Sequence, residues 1–283
     1  MLNSAMKALT IAVYADDYLL LLEFISSIEK ELPTATLKVY GSEDLLSSMP
    51  PESMDYFAED IDTLANSDIL MLLAKLPDES ASLLDKYEGT ALSIVDDYDN
   101  SDVIYIRDPL LALLDEIVEA NDGCRIILGL PLAIYGRPGI DALMQETRAI
   151  YTFDTIEGED ALLPMPVAFN IHFYQNLPAV SEKKAKWEKQ LAELRKKAVV
   201  SLRVNPVSTV YIVDIFSDDS LELPESETQE FYEPQEAFSL EDVNNDHRIA
   251  QLASDDGRLN SFIGDYFHMF TRNLISAVKS AAS

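Results

Sequence analysis

Residues Leu9 to Val13 read LTIAV, a short apolar run of the kind that opens a doubly wound α/β domain. In a dinucleotide-binding chain such a strand runs into a glycine-rich loop, where the backbone approaches a pyrophosphate and a helix N-terminus faces the anion. Here the strand is followed by Tyr14, Ala15, Asp16, Asp17 and Tyr18, then by four leucines, Leu19 to Leu22. No glycine is present. Asp16 and Asp17 put negative charge where a phosphate would sit, and Tyr18 and Leu21 are expected to close the approach. The opening therefore predicts a Rossmann-like frame without a cofactor.

The pattern that follows fits the same frame. A helix is expected over 18–31, with Leu22, Ile25 and Ile28 on one face and Pro33 behind its end. Strands are expected at 37–40, 69–74, 91–95 and 103–106, and a short helix at 78–87. Strands alternating with helices imply βαβ units and a mainly parallel sheet. The second half changes character. It has a helix over 109–120 stopped at Asn121-Asp122-Gly123, a strand at 125–130, a helix over 139–151 and a charged helix over 183–197. Two strands rich in β-branched residues follow at 199–204 and 210–216, and a last helix is expected over 262–282. The expected fold is α/β: a Rossmann-like domain at 1–108, an α+β domain at 109–261, and a terminal helix packing back on the first.

Net charge excludes several classes of partner. The formal charge of the 283-residue chain is −29. Such a field repels nucleic acid and anionic membrane surfaces, and favours a basic protein partner. No apolar run is long enough to span a bilayer. The single cysteine, Cys124, rules out an internal disulfide framework, which fits a cytoplasmic protein.

Five segments, in order, resemble the aspartate-semialdehyde dehydrogenase family. They are IAVYADDYLLLLEFISSI in place of the family's first strand, glycine loop and first helix, YGRPGIDALMQET (Tyr135–Thr147), VAFNIHF (Val167–Phe173), KKAKWEKQLAELRKKAVVSLRVNPV (Lys183–Val207) and FHMFTRNLISAVKSA near the C-terminus. The resemblance implies that family's two-domain fold, with a dimerisation-type second domain and hence a homodimer. It also implies a nucleophilic Cys at a helix start and a His after an Arg-Val-Pro-Val strand. Neither is found where expected. Cys124 precedes a strand, Asp108-Pro109 runs directly into Leu110, and 205–213 contains no His. His172, His247 and His268 lack the spacing of a metal cluster. Arg203 matches the position of the family's substrate-carboxylate arginine, and is the candidate for residual carboxylate binding. An ion pair within the fold is the alternative role for it.

These departures give the expectation of a chain that is not an enzyme: an inactive homologue acting as a structural, scaffolding or regulatory protein through protein contacts. The alternative is a sensor of a small amino-acid-derived metabolite in a residual cleft. Asp96/Asp97 and Asp218/Asp219 are expected to be solvated turns rather than cation sites. The acidic stretch from Asp218 to Asp246 interleaves Phe231, Tyr232 and Phe238 with carboxylates, which makes these three aromatics the candidate contact with a partner.

Overall fold

The computed structural model describes residues 9–42, 45, 56–57, 61–95, 98, 102–154, 166, 168–169, 172–174, 182–222 and 249–282. The chain divides into two compact units, Met1–Asp108 with Phe270–Ser283, and Pro109–Met269.

The first unit is built on a five-stranded parallel sheet. Its strands are β1 (Thr10–Ala15), β2 (Thr36–Gly41), β3 (Ile69–Leu72), β4 (Thr90–Ser93) and β5 (Val103–Tyr105), in the order β2-β1-β3-β4-β5. β1 and β3 are buried on both faces, which is why each reads as an unbroken apolar run rather than an alternation. Helix α1 (Tyr18–Glu31) supplies Leu20, Leu21, Phe24, Ile25 and Ile28 to the core. Within the span expected to be one helix at 78–87, the chain makes a 3-10 turn at Asp78–Ser80 and a single helical turn, α2 (Ser82–Asp85). Phe270, Leu274, Ile275 and Val278, from the C-terminal segment, are also buried. This is the Rossmann-like frame, with its strand order reversing between β1 and β3.

The second unit begins with α3 (Pro109–Ala120) and holds a six-stranded mixed sheet. Its strands are β6 (Arg125–Leu130), β7 (His172–Tyr174), β8 (Val199–Val204), β9 (Val210–Phe216), β10 (Ala250–Ala253) and β11 (Leu259–Asp265), in the order β10-β11-β9-β6-β8-β7. Between strands lie α4 (Arg137–Thr152) and α5 (Glu182–Lys197). Helices α3 and α5 pack together, and Lys197 of α5 reaches Asp115 and Glu119 of α3 at 3.3 and 2.6 Å. One face of the sheet is dry: Ile126, Leu128, Leu130, Leu202, Val204, Tyr211, Val213, Ile215 and Phe262 are all buried. The other face is only half covered.

The last helix, α6, runs from Tyr266 to Ala282 rather than from residue 262. Phe262 to Asp265 belong to β11, paired antiparallel with β9. The break falls at Asp265, whose carboxylate accepts the backbone N–H of His268 at 3.0 Å and so caps the helix.

Candidate functional site

In an open parallel sheet the ligand crevice lies beyond the strand C-termini where the order reverses, here at the ends of β1 and β3. There the described chain brings a carboxylate to the start of α1. Asp17 caps α1, its Oδ1 accepting the N–H groups of Leu19 and Leu20 at 3.0 and 3.1 Å. The donors that a pyrophosphate would use are thus held by a carboxylate. Such a cap contributes about 1 kcal/mol to the helix. Gly41, at the end of β2, offers no opening either: a Cβ there would meet Leu45 Cδ2 at 2.3 Å and the Ala15 carbonyl at 2.8 Å. The expected role of Leu21 is corrected, since its side chain is fully buried in the core and does not face the loop.

Cys124 has no exposure, and its Sγ lies 3.4 Å from the Asn121 carbonyl. Burial, then the nearby Asp122, push its thiol above the usual cysteine range, which disfavours the thiolate that a nucleophile needs. The register separates it from His268. β6 begins beside Phe216 of β9, whereas Asp265, three residues before His268, pairs with Val210 at the other end of β9. Six strand steps put about 20 Å between those ends. The first turn of α3 carries Pro109, Leu110 and Leu111, all buried. His172 pairs with Val204 on β7, while His247 lies outside the described residues.

Arg203 sits on the half-covered face of the second sheet. Its Nη2 is 3.5 Å from Asp214 Oδ2 on β9, and Ser261 on β11 donates to Asp214 Oδ1 at 2.6 Å. This is the ion pair within the fold. Gly129 of β6 lets the arrangement close: a Cβ there would lie 2.6 Å from Asn205 Nδ2 and 3.0 Å from Arg203 Nη2. Two donors, Arg203 Nε and Asn205 Nδ2, are buried with no hydrogen-bond partner among the described residues.

The strand register places whole rows on that face. One row runs Val199, Arg125, Phe216, Leu259; the next Ser201, Ile127, Asp214, Ser261, Leu252; the third Arg203, Gly129, Ile212, Ile263. Val199, Phe216 and Leu259 are 66, 39 and 36% exposed. Ile127, Ile212 and Ile263 lie half-buried between them. These three rows hold two arginines and one aspartate, in a chain of charge −29. The sequence carries a signal for this face. β9 is apolar in both phases, with Tyr211, Val213 and Ile215 turned inward and Ile212 turned outward, as in strands covered on both sides.

Other expected sites are not brought together. Phe231, Tyr232 and Phe238 lie outside the described residues, as do Asp96 and Asp97. Asp218 and Asp219 are exposed, and no group of metal-binding side chains occurs among the described residues. Asn121 fixes the start of the acidic stretch: its amide pairs with both the N–H and the C=O of Glu222, each at 2.7 Å. In the first unit, burial and the adjacent Asp68 push the Tyr87 hydroxyl up to about 12, against the lowering effect of its bond with Ser67. No described helix is long and apolar enough to cross a membrane.

No family model and no curated protein sequence matches the chain. Solved structures do. Aspartate semialdehyde dehydrogenase II from Vibrio cholerae superposes with a TM-score of 0.73, and with 0.70 in its complex with ASA. A probable aspartate-semialdehyde dehydrogenase from Pseudomonas aeruginosa gives 0.68. Each is 12% identical, over 96% of this chain and 98% of the other. The fold is therefore that of the semialdehyde dehydrogenases, a Rossmann-like domain joined to an α+β domain. The expectation that the chain is not an enzyme is corrected by this finding, because the solved proteins that share its fold are enzymes. At 12% identity, the absence of a short motif from one stretch of sequence does not carry a conclusion of inactivity.

Proposed function

We propose that the chain belongs to the aspartate-semialdehyde dehydrogenase family and serves a structural, scaffolding or regulatory role through protein contacts, as a homodimer. The observation that carries this is the half-covered face of the second sheet. On a chain of charge −29, its three rows carry two arginines, one aspartate and a centre of isoleucines. Like-charge repulsion between acidic surfaces opposes self-association, and a charge-poor face like this one is spared it. A second copy seated there would exclude water from Ile127, Ile212 and Ile263, and the twofold axis would use the same patch twice. Light scattering at moderate salt should give twice the chain mass of 31.6 kDa. A monomer at tens of micromolar protein would overturn the dimer.

A second reading, a sensor of a small amino-acid-derived carboxylate, is favoured by the unpartnered Arg203 Nε and Asn205 Nδ2. A bound carboxylate would compete with Asp214 for the guanidinium. Thermal-shift measurements with amino-acid carboxylates separate the readings. A saturable rise in melting temperature that Arg203→Met abolishes supports the sensor, and a flat response removes it.

A further inference from the structure

We infer that Asp122 is the site at which the folded chain converts its own backbone to isoaspartate, and that this modification loosens the junction between α3 and β6. The sequence holds two Asp-Gly pairs, Asp122-Gly123 and Asp256-Gly257. In such a pair the glycine nitrogen can reach the preceding carboxyl, because no side chain shields its N–H and the glycine backbone turns freely. At the first pair the Gly123 nitrogen attacks Cγ of Asp122. The Cγ–O bond of the neutral carboxyl breaks, and the hydroxyl leaves as water with the amide proton. Water then adds to the α-carbonyl of the cyclic imide and breaks its bond to the Gly123 nitrogen. The chain is afterwards linked through Cγ, with the carboxylate on Cα. One water is lost and one regained, so no co-reactant is consumed, and mass and charge are unchanged.

The fold separates the two pairs. Asp122 and Gly123 are both exposed just beyond the end of α3. Among the described residues, neither the Asp122 carboxylate nor the Gly123 N–H makes a hydrogen bond. Nothing lies within 4 Å of the position a Gly123 Cβ would take, so the attack is unobstructed. The second pair is stitched shut. Asp256 Oδ1 accepts the Ser254 hydroxyl at 2.7 Å and the Arg258 N–H at 3.1 Å. The attacking group is engaged as well, since the Gly257 N–H donates to the Ser254 carbonyl at 2.8 Å. A Cβ on Gly257 would lie 2.6 Å from Ser220 Oγ. Three hydrogen bonds must therefore open before Asp256 can react. The same contacts, the Ser254 hydroxyl first and then the Arg258 N–H, hold its carboxyl below the usual range and deplete the neutral form.

The position of Asp122 gives the change its effect. Asn121, one residue before, is buried, and its amide holds the Ile117 carbonyl and both backbone groups of Glu222, each at 2.7 Å. Cys124, two residues after Asp122, is buried, and its carbonyl accepts the Val199 N–H at 3.1 Å where β6 meets β8. Isoaspartate inserts one methylene into the main chain between these two fixed points. Both cannot keep their partners, and a buried polar group that loses its partner is costly.

The test is to hold the intact chain at neutral pH and physiological temperature for weeks, in heavy-oxygen water. Peptide mapping by mass spectrometry then counts the labelled isoaspartate at each pair. Isoaspartate at 122 should exceed that at 256 at least about tenfold, because three hydrogen bonds restrain the second pair. In concentrated urea the two pairs should react at similar rates, and Ser254→Ala should speed Asp256 in the folded chain. Equal rates at the two pairs in the folded chain would overturn the inference. So would isoaspartate at 122 that appears in urea alone. The aged protein should melt several degrees below the fresh one, while aged Asp122→Glu keeps its fresh melting temperature. An unchanged melting temperature in fully converted protein would overturn the loosening of the junction.

Discussion

Alanine at Gly139 should destabilise the second unit by about 3 kcal/mol or more, a large fraction of the stability of an ordinary domain. A Cβ at this position would lie 2.1 Å from the Leu132 carbonyl oxygen and 3.0 Å from its carbon. Both sides of that contact are pinned. Leu132 is fully buried, its N–H donates to the Val207 carbonyl at 3.0 Å, and the N–H of Ala133 donates to Ser208 at 2.8 Å. On the other side, Gly139 lies in the first turn of α4, and its N–H donates to Gly136 at 3.2 Å. Relief would require moving a helix away from a turn that β8 and its following loop hold in place. Gly123→Ala is the control. Gly123 has φ of 75° but nothing within 4 Å of its would-be Cβ. Its cost is the left-handed conformation alone, about 1–2 kcal/mol. Urea unfolding followed by circular dichroism should rank the variants Gly139→Ala far below Gly123→Ala. Equal midpoints would mean that α4 can slide on the turn, and that its docking is looser than the contact implies.

The sequence makes the frame legible where burial writes a periodic signal. α1 and α3 have the expected bounds, as do β6, β8 and β9, because caps, helix stops and β-branched runs mark their ends. β10 and β11 are hidden for a physical reason. Two inward positions of β11 are Asn260 and Gly264, not apolar residues. Asn260 is buried because its amide accepts from Gln251 at 2.7 Å and donates to the Gly257 carbonyl at 2.8 Å. Gly264 is small because the Tyr211 hydroxyl lies where its Cβ would be, 2.4 Å away. The alternation is therefore written in partners from other strands, and no window along the chain contains it. The same holds at the candidate site. Arg203 reads as a carboxylate ligand from its neighbours in sequence, while its actual partner, Asp214, comes from the next-but-one strand. The acidic start of α1 is legible in the sequence at Asp16 and Asp17. That Asp17 serves as a cap, with Leu21 turned inward, required the backbone.

Aspartate at Ile212 should convert the proposed dimer to monomer. Ile212 lies in the third row of the open face, paired with Gly129 on one side and Ile263 on the other. In one chain it is half-buried, so a carboxylate there can turn toward water and the strand survives, with melting temperature falling by a few degrees at most. Across a twofold axis the substitution acts twice. Each carboxylate would lose its water against an isoleucine-lined face, at several kcal/mol per ion, and the two would repel each other. Weakening of the dimer by at least about a hundredfold follows from even a fraction of that cost. Light scattering of Ile212→Asp should therefore read one chain mass, 31.6 kDa, at a concentration where the unaltered protein reads two. Ser261→Ala is the matched control, because it removes one hydrogen bond to Asp214 and adds no charge. Its mass should stay that of the dimer. If Ile212→Asp remains a dimer with an unchanged melting temperature, the open face is not where the copies meet. The charge-poor rows of isoleucine would then need another occupant.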